Sequence, residues 1–168
     1  MRSTGEVLGI ADSFGLAFFK SQEATQVPLP TSGTVLISVA NHDKDAVLEV
    51  AKKFLKLGFN IKATKGTHLF LKENGVNSEV IKKLNEGRPN IVDGIMNKEM
   101  HLVINTPSGK LSQYDDSYIR KAAIKYSTPY ITTITAASAS AKGIAAYKED
   151  GRKGSGVKSL QNYHLDIK

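Results

Sequence analysis

The sequence of 168 residues has no cysteine and no tryptophan, and aromatic residues make up only 7% of it. The missing cysteines exclude disulfide bonds, thiolate metal sites, iron–sulfur clusters and a cysteine nucleophile. No apolar run approaches the ~20 residues of a membrane-spanning helix, and Glu6, Asp12 and Glu23 near the start argue against a signal peptide. These absences predict a soluble domain in the cytoplasm, without a membrane partner.

Basic residues outnumber acidic ones by 23 to 16, which gives a formal net charge of +7. Such a surface suits either nucleic acid or a small anionic ligand. The lysines are scattered along the sequence, and the densest cluster, Arg152 and Lys153 with Lys158, lies in a glycine-rich stretch. Basic and aromatic residues do not alternate as they do on surfaces that bind single strands. The pattern favours a small anion and no nucleic-acid partner.

Apolar runs alternate with amphipathic segments along most of the chain. Strands are predicted at 34–40, 59–63, 100–106 and 130–133, and near Val80 to Leu84, where a helical turn fits almost as well. Helices are predicted at 43–57, 67–74, 90–98, 116–127 and 136–147. Strands that alternate with helices form a parallel sheet covered on both faces. The sequence therefore predicts an α/β fold.

Both ends of the chain differ from this core. A helix is predicted at 12–22, and a proline-rich linker precedes the first strand. We therefore divide the chain into an N-terminal connecting helix and linker at 1–33, a core domain at 34–150, and a flexible segment with a C-terminal tail at 151–168. An opening helix and linker are typical of a domain from a larger chain, and the sequence leaves open whether Met1 is a native start.

Small and polar residues follow three of the predicted strands, at Asn41–Lys44, Thr64–Thr67 and Asn105–Gly109. In open parallel sheets, ligands bind beyond the carboxyl ends of the strands. Backbone amides at a helix start, hydroxyls and a lysine together can hold a phosphate. The three segments predict an anion site, with phosphate as the favoured anion, although each alone is also typical of a helix cap or turn.

Catalytic motifs are weak by comparison. His42 beside Asp43 is more typical of helix capping than of acid–base chemistry, and the other histidines lack the spacing of metal ligands. Asp115 and Asp116 are typical of a helix N-terminus, and Asp93 has no second carboxylate motif nearby. Phosphate-loop, nucleophile-elbow and kinase signatures do not occur. The sequence predicts a site that binds without reacting, with no catalytic residue and no metal.

The sequence contains an ordered series of short motifs at Ser3–Ile10, Ser13–Lys20, Gly58–Phe59, Ala63–Thr67, Asn85–Pro89, Ile104–Gly109, Tyr130–Thr133 and Leu165–Lys168. This series resembles the C-terminal domain of the carbamoyl-phosphate synthase large chain. The motifs occur in the same order and extend over essentially the whole chain. The resemblance implies the methylglyoxal synthase-like fold, a three-layer α/β/α arrangement around a parallel five-stranded sheet.

The resemblance also implies a regulatory domain of a ligase rather than an enzyme in its own right. Bacterial relatives bind UMP as an inhibitor and IMP as an activator, in the context of pyrimidine and arginine biosynthesis. Carried over by position, the nucleotide-binding residues are Ser38, Lys44, Thr64, Gly66, Thr67, Lys83, Asn105, Thr106 and Ser117. The ornithine-binding residues are Tyr130 and Thr132. Which nucleotide is preferred, and with which sign of regulation, stays open.

Partners and cofactors follow from the same resemblance. The implied partners are the remainder of the large chain, a glutaminase small chain and mononucleotide effectors, and a homo-oligomer formed through this domain is compatible with it. ATP and Mg²⁺ or Mn²⁺ belong to the synthetase domains of the large chain. No cofactor is therefore expected in this domain.

Two departures from the family pattern leave details of the pocket open. Pro107 stands where many bacterial relatives have a threonine, and a segment at 112–116, taken as a loop, is a residue longer than in some relatives. Animal relatives that bind N-acetylglutamate have a tryptophan in the pocket; Lys83 at that place favours a phosphorylated ligand. The alternative is a methylglyoxal synthase-type lyase acting on dihydroxyacetone phosphate, for which Asp93 is at best one of two required aspartates.

Overall fold

Short β-branched runs form the strands of this protein and amphipathic segments form its helices. The computed structural model describes residues 4–107, 110–153 and 158–165. The strands are β1 Thr34–Val39, β2 Asn60–Thr64, β3 Glu79–Ile81, β4 Leu102–Thr106 and β5 Tyr130–Ile131. The helices are α1 Phe14–Glu23, α2 Lys44–Lys56, α3 Lys65–Glu73, α4 Ile91–Met96, α5 Lys110–Lys125, α6 Ile134–Lys153 and α7 Leu160–Leu165. Short 3₁₀ turns occupy Asn41–Asp43 and Leu84–Glu86.

The five strands form one parallel sheet in the order β3-β2-β1-β4-β5. Val35 and Ile37 of the central strand face a core shared with α2, α3 and α6, whereas Leu36 faces a second core shared with α4 and α5. All three residues are fully buried, which explains why this run shows no alternation of polar and apolar residues. The structure confirms the predicted three-layer α/β/α fold.

Several predicted boundaries differ from the observed ones. α5 begins at Lys110 and not at Asp116, so the 112–116 segment is helical and not a loop. The start of α5 follows Pro107, Ser108 and Gly109, residues typical of a loop, and has only Leu111 and Tyr114 as apolar or aromatic residues before Asp116. β5 has two residues instead of four, and α3 begins two residues early. α6 extends to Lys153, so the glycine-rich stretch begins inside it, and 154–157 lie outside the described residues.

The N-terminal helix α1 packs mainly against α6. A Cβ added at Gly15 would lie 2.9 Å from the carbonyl oxygen of Lys142, and one added at Gly143 would lie 3.2 Å from that of Gly15. The two helices therefore approach backbone to backbone where they lack side chains. Phe19 is buried beside this contact and stacks on Tyr147 at 4.2 Å between ring centres. Within the described ranges, no helix is long and apolar enough to span a membrane.

Candidate functional site

The direction of chain winding changes between β1 and β4. β1 leads into α2 on one face of the sheet and β4 leads into α5 on the other. At the carboxyl ends of these neighbouring strands, Ser38 pairs in register with Asn105, and Val39 with Thr106. A crevice opens where connections leave adjacent strands toward opposite faces. The fold thus places the ends of β1 and β4 at its expected ligand site.

A cleft of about 300 Å³ lies at this edge of the sheet. Its lining consists of Ser38, Val39, Ala40, Asn41, His42, Lys83, Asn105 and Thr106. A small inner compartment of about 20 Å³ shares Ser38, Lys83 and Asn105 with it. That compartment is completed by Leu84, Ile91, Asp115 and Ile119. We call the two compartments together the strand-end cleft.

Four of the predicted nucleotide-binding residues line the strand-end cleft: Ser38, Lys83, Asn105 and Thr106. Lys83 is exposed, whereas the side chains of Asn105 and Thr106 are buried at the end of β4. The backbone N–H of Ala40 donates to Thr106 Oγ1 at 3.2 Å. A cation, two hydroxyl groups and an amide therefore converge on one cavity.

Thr64, Gly66 and Thr67 adjoin the cleft from the end of β2. Thr67 Oγ1 accepts hydrogen bonds from the backbone N–H of Val39 and from Thr64 Oγ1, both at 3.4 Å. Gly66 is exposed, and an added Cβ there would meet nothing within 4 Å. α3 starts without a side-chain hydrogen bond from its N-cap Thr64, which leaves its first-turn amides available to an anion.

Lys44 and Ser117, like Thr64, Gly66 and Thr67, are not among the described residues that line the cleft. Lys44 begins α2 directly after the turn at 41–43, and its Nζ lies 5.9 Å from the centre of the Phe70 ring. Ser117 is half-buried on α5, and Pro107 is half-buried just after β4. The structure therefore places only part of the predicted nucleotide-binding residues in the lining of the cleft, and the others lie outside it.

Asp116, interpreted from the sequence as part of a helix N-terminus, is a buried carboxylate within α5. Its Oδ1 accepts hydrogen bonds from Asn105 Nδ2 at 2.9 Å and from the Tyr130 hydroxyl. Its Oδ2 accepts one from Arg120 at 2.8 Å. Sequence spacing offered one signal: Asp116 precedes the core residue Ile119 by three positions and so shares its helix face.

The Tyr130 hydroxyl is held protonated by this environment. Burial, followed by the hydrogen bond to Asp116, raises the pKa of Tyr130 to about 12, while a hydrogen bond from Asn105 opposes the shift. Asn105 Nδ2 lies 2.8 Å from the phenolic oxygen. At neutral pH Tyr130 is therefore a donor to Asp116 and an acceptor from Asn105.

Tyr130 and Thr132, the predicted ornithine-binding residues, line a second and larger cavity of about 580 Å³. One wall comes from α1 and the segment after it, including Phe18 and Leu29. The other comes from the end of α5, β5 and the start of α6, including Thr128. We call this cavity the linker groove. The two predicted sites thus occupy separate cavities, and the hydrogen bond from Asn105, which lines the cleft, to Tyr130, which lines the groove, connects them.

Asp93, the candidate catalytic base of the lyase alternative, is engaged at the start of α4. Its carboxylate accepts hydrogen bonds from the Arg88 guanidinium, with Nε at 3.0 Å, and from the backbone N–H of Asn90 at 2.9 Å. The bond from Arg88, then that from Asn90, holds the pKa of Asp93 below its ordinary value. Among the described residues lining the strand-end cleft, Asp93 does not occur. No three metal-binding side chains cluster in the described ranges.

Comparison with known proteins shows the family to which this chain belongs. The family model of the MGS-like domain matches residues 46–132. The chain is 52% identical to the C-terminal section of the carbamoyl phosphate synthase large chain of Aquifex aeolicus, over 98% of its own length and 31% of that relative's. It is 47% identical to the carbamoyl phosphate synthase large chain of Archaeoglobus fulgidus over 98% of its length and 15% of that relative's.

The fold has a solved counterpart of low sequence similarity. A crystal structure of methylglyoxal synthase from Elizabethkingia anophelis matches with a TM-score of 0.50 at 16% identity, over 83% of this chain and 94% of that one. This likeness supports the fold alone, whereas the family match covers more than half of the chain. The chain spans less than a third of the length of the relatives described above. It belongs to the MGS-like domain family and is similar over nearly its whole length to the C-terminal section of the carbamoyl phosphate synthase large chain.

Proposed function

We propose that this protein is a regulatory domain of a carbamoyl-phosphate synthase large chain and binds a mononucleotide effector of the UMP or IMP type in the strand-end cleft. The observation that carries the proposal is the convergence of Lys83, the Ser38 and Thr106 side chains and the nearby start of α3 at the switch point of the sheet. The similarity to C-terminal sections of the large chain supports the enzyme context.

The proposed phosphate position is the side of the cleft next to α3. Thr67 Oγ1 and Thr106 Oγ1 both accept a backbone N–H from the end of β1, so each hydroxyl hydrogen can donate to a ligand. In this proposal Lys83, which lines the cleft, and Lys44, at the start of α2, supply positive charge. The exposed Gly66 leaves room for close approach. A volume of about 300 Å³ lies at the lower end of small-molecule sites and suits a mononucleotide.

The wider context of the proposal extends beyond this chain. Tyr130 and Thr132 in the linker groove contribute to an ornithine response, with the remaining contacts supplied by the rest of the large chain. Glutamine hydrolysis belongs to a small chain, and ATP with its metal ions to the synthetase domains. The effector site itself performs no reaction, uses no cofactor and works in the cytoplasm.

A methylglyoxal synthase-type lyase is the alternative function, because the same phosphate position would suit dihydroxyacetone phosphate. The pairing of Asp93 with Arg88 weighs against it, since a carboxylate of lowered pKa is a poor base. We expect no methylglyoxal formation above background. Turnover that disappears in Asp93→Asn would overturn the regulatory proposal.

Calorimetric titration of the protein with UMP, IMP, N-acetylglutamate and ornithine tests the proposal. We expect one-to-one binding of UMP or IMP, and weak or absent binding of the other two. Binding of a single phosphate also gives a shallow dependence on salt, whereas nucleic acid gives a steep one. A protein that binds neither nucleotide, or that binds DNA or RNA tightly at physiological salt despite excess UMP, would contradict the proposal.

A further inference from the structure

His42 and Asp43 form a sequence motif to which the proposed function assigns no role. The sequence favours helix capping for this pair. In the structure, Asp43 occupies the N-cap position of α2, but its side chain makes no capping hydrogen bond. Its Oδ2 lies 3.5 Å from Nε2 of His42 instead. The capping interpretation of Asp43 is therefore wrong, and its carboxylate contacts the histidine ring.

The position of His42 makes its ring accessible from the strand-end cleft. His42 lies in the 3₁₀ turn at 41–43, which joins β1 to α2, and it lines the larger compartment of the cleft. Its side chain is 71% exposed. Apart from the contact with Asp43, no hydrogen bond or ion pair joins this ring to another of the described residues. The imidazole is therefore available to a molecule in the cleft.

The charge of the larger compartment depends on few side chains. The ionisable residues that adjoin His42 in the chain or line the cleft opposite it are Asp43 in the same turn, Lys44 and Asp45 at the start of α2, Lys83 after β3 and, in the inner compartment, Asp115 on α5. Among the described residues that line the larger compartment, only His42 and Lys83 are ionisable. Protonation of His42 therefore doubles the positive charge that these lining residues contribute.

We propose that His42 is a further anion-binding residue of the strand-end cleft, whose imidazolium strengthens the binding of a phosphorylated effector as the pH falls. Histidine side chains ordinarily titrate near pH of about 6.5, so their charge changes within the physiological range. Lys83 stays charged over that range and supplies an attraction that does not vary with pH. The contribution of His42 is present below this range and lost above it. This inference rests on the proposed function of the cleft as a mononucleotide site.

The test measures the Kd for UMP by calorimetry on the unaltered protein and on His42→Gln, which is uncharged at every pH. At a pH of about 5.5 the unaltered protein should bind UMP about threefold more tightly than His42→Gln, the size expected for an exposed charge. At a pH of about 8 the two should agree within about 1.5-fold. UMP itself loses its second phosphate proton near pH of about 6, but this is common to both proteins, so the ratio of the two Kd values reports on His42. A ratio that does not change with pH overturns the inference.

His42→Lys provides a second test, because it carries the positive charge at both pH values. It should bind UMP about threefold more tightly than His42→Gln at acidic and at alkaline pH alike. His164→Gln is the matched control, since it removes an exposed histidine of α7 that is not among the described lining residues of the cleft. It should keep the pH dependence of the unaltered protein. His42→Lys that binds no more tightly than His42→Gln, or His164→Gln that loses the pH dependence, overturns the inference.

An NMR titration of the His42 ring separates this inference from the proposed function. Proton binding and effector binding are linked, so each must strengthen the other if the imidazolium attracts the phosphate. The titration of the ring should therefore move to higher pH when the protein is saturated with UMP. A titration that UMP leaves unchanged overturns the inference alone. A protein that binds neither UMP nor IMP at either pH overturns the proposed function, and this inference with it.

Discussion

The strand-end cleft and the linker groove differ in what forms their walls. The groove is the larger, about 580 Å³ against about 300 Å³, and much of its wall consists of apolar side chains such as Phe18 and the buried Leu29. The cleft is walled by strand ends, where the register of β1 and β4 places polar groups side by side. The size of each cavity therefore reflects how helices and loops pack, whereas the proposed nucleotide recognition depends on polar groups that the sheet positions.

The largest expected effect comes from removing the positive charge of the cleft. If Lys83 and the nearby Lys44 both contact the phosphate as proposed, Lys44→Ala and Lys83→Ala would each remove a charge-assisted contact worth about 1.5–3 kcal/mol and should weaken UMP binding about tenfold or more. The double substitution should abolish detectable binding in calorimetric titrations and leave the melting temperature nearly unchanged.

Lys53→Ala is the matched control for these two lysines. It removes the same charge from α2, but Lys53 lines a different cavity, between α2 and α6. Distant surface charges are screened at physiological salt, so UMP binding should hardly change. Equal weakening by all three single substitutions would mean that UMP affinity depends on net charge and not on the position of the lysine. That result would contradict the proposed phosphate site in the strand-end cleft.

The next effect concerns stability and the linker groove. Leu29 is only 6% exposed and belongs to the core on the α2 side of the sheet. Leu29→Ala should lower the free energy of unfolding by about 2–4 kcal/mol, measured by urea titration, without changing the Kd for UMP. Leu69→Ala, at an exposed position of α3, is the control and should have little effect. A weaker UMP complex in Leu29→Ala would show that the groove shapes the cleft.

A smaller effect should distinguish two buried threonines, one beside the strand-end cleft and one in the linker groove. Thr67 is the hydroxyl beside the cleft and Thr128 lines the groove, and both are less than 10% exposed. Valine replaces threonine with little change in volume but removes the hydroxyl. Thr67→Val should weaken UMP about fivefold in calorimetric titrations and Thr128→Val should not. The reverse order would place the phosphate in the groove.

A further effect is a dependence of stability on alkaline pH. The pKa of Tyr130 is raised from about 10 to about 12 in the folded protein, so the folded state holds a proton that the unfolded state releases in this window. Stability from this group is complete below pH of about 10 and falls as the pH rises toward about 12. The difference in urea midpoint between the unaltered protein and Tyr130→Phe should shrink over that range. An unchanged difference would contradict the buried, donating state of Tyr130.

The sheet could be predicted because its strands are short β-branched runs, and the strand-end rule then located Asn105 and Thr106, whereas Ser38 was expected only from the family resemblance. The hydrophobic periodicity does not determine the order of the strands in the sheet. The expectation that β1 and β4 are neighbours therefore rested on the family resemblance. Asp116 was misplaced because the loop-forming residues Pro107, Ser108 and Gly109 precede α5 in the sequence. Its bond to Tyr130 joins positions on a helix and a strand, a relation that no local pattern contains.

The backbone contact between Gly15 and Gly143 has a consequence for how the domain is made. α1 leaves the ribosome more than a hundred residues before α6 begins, so the face of α1 that carries Phe19 has no final partner during most of synthesis. Closing so long a loop costs conformational entropy and slows folding. A nascent polypeptide that stops before residue 134 lacks the helix on which α1 packs, and its first helix is then an apolar surface open to chaperones and to aggregation.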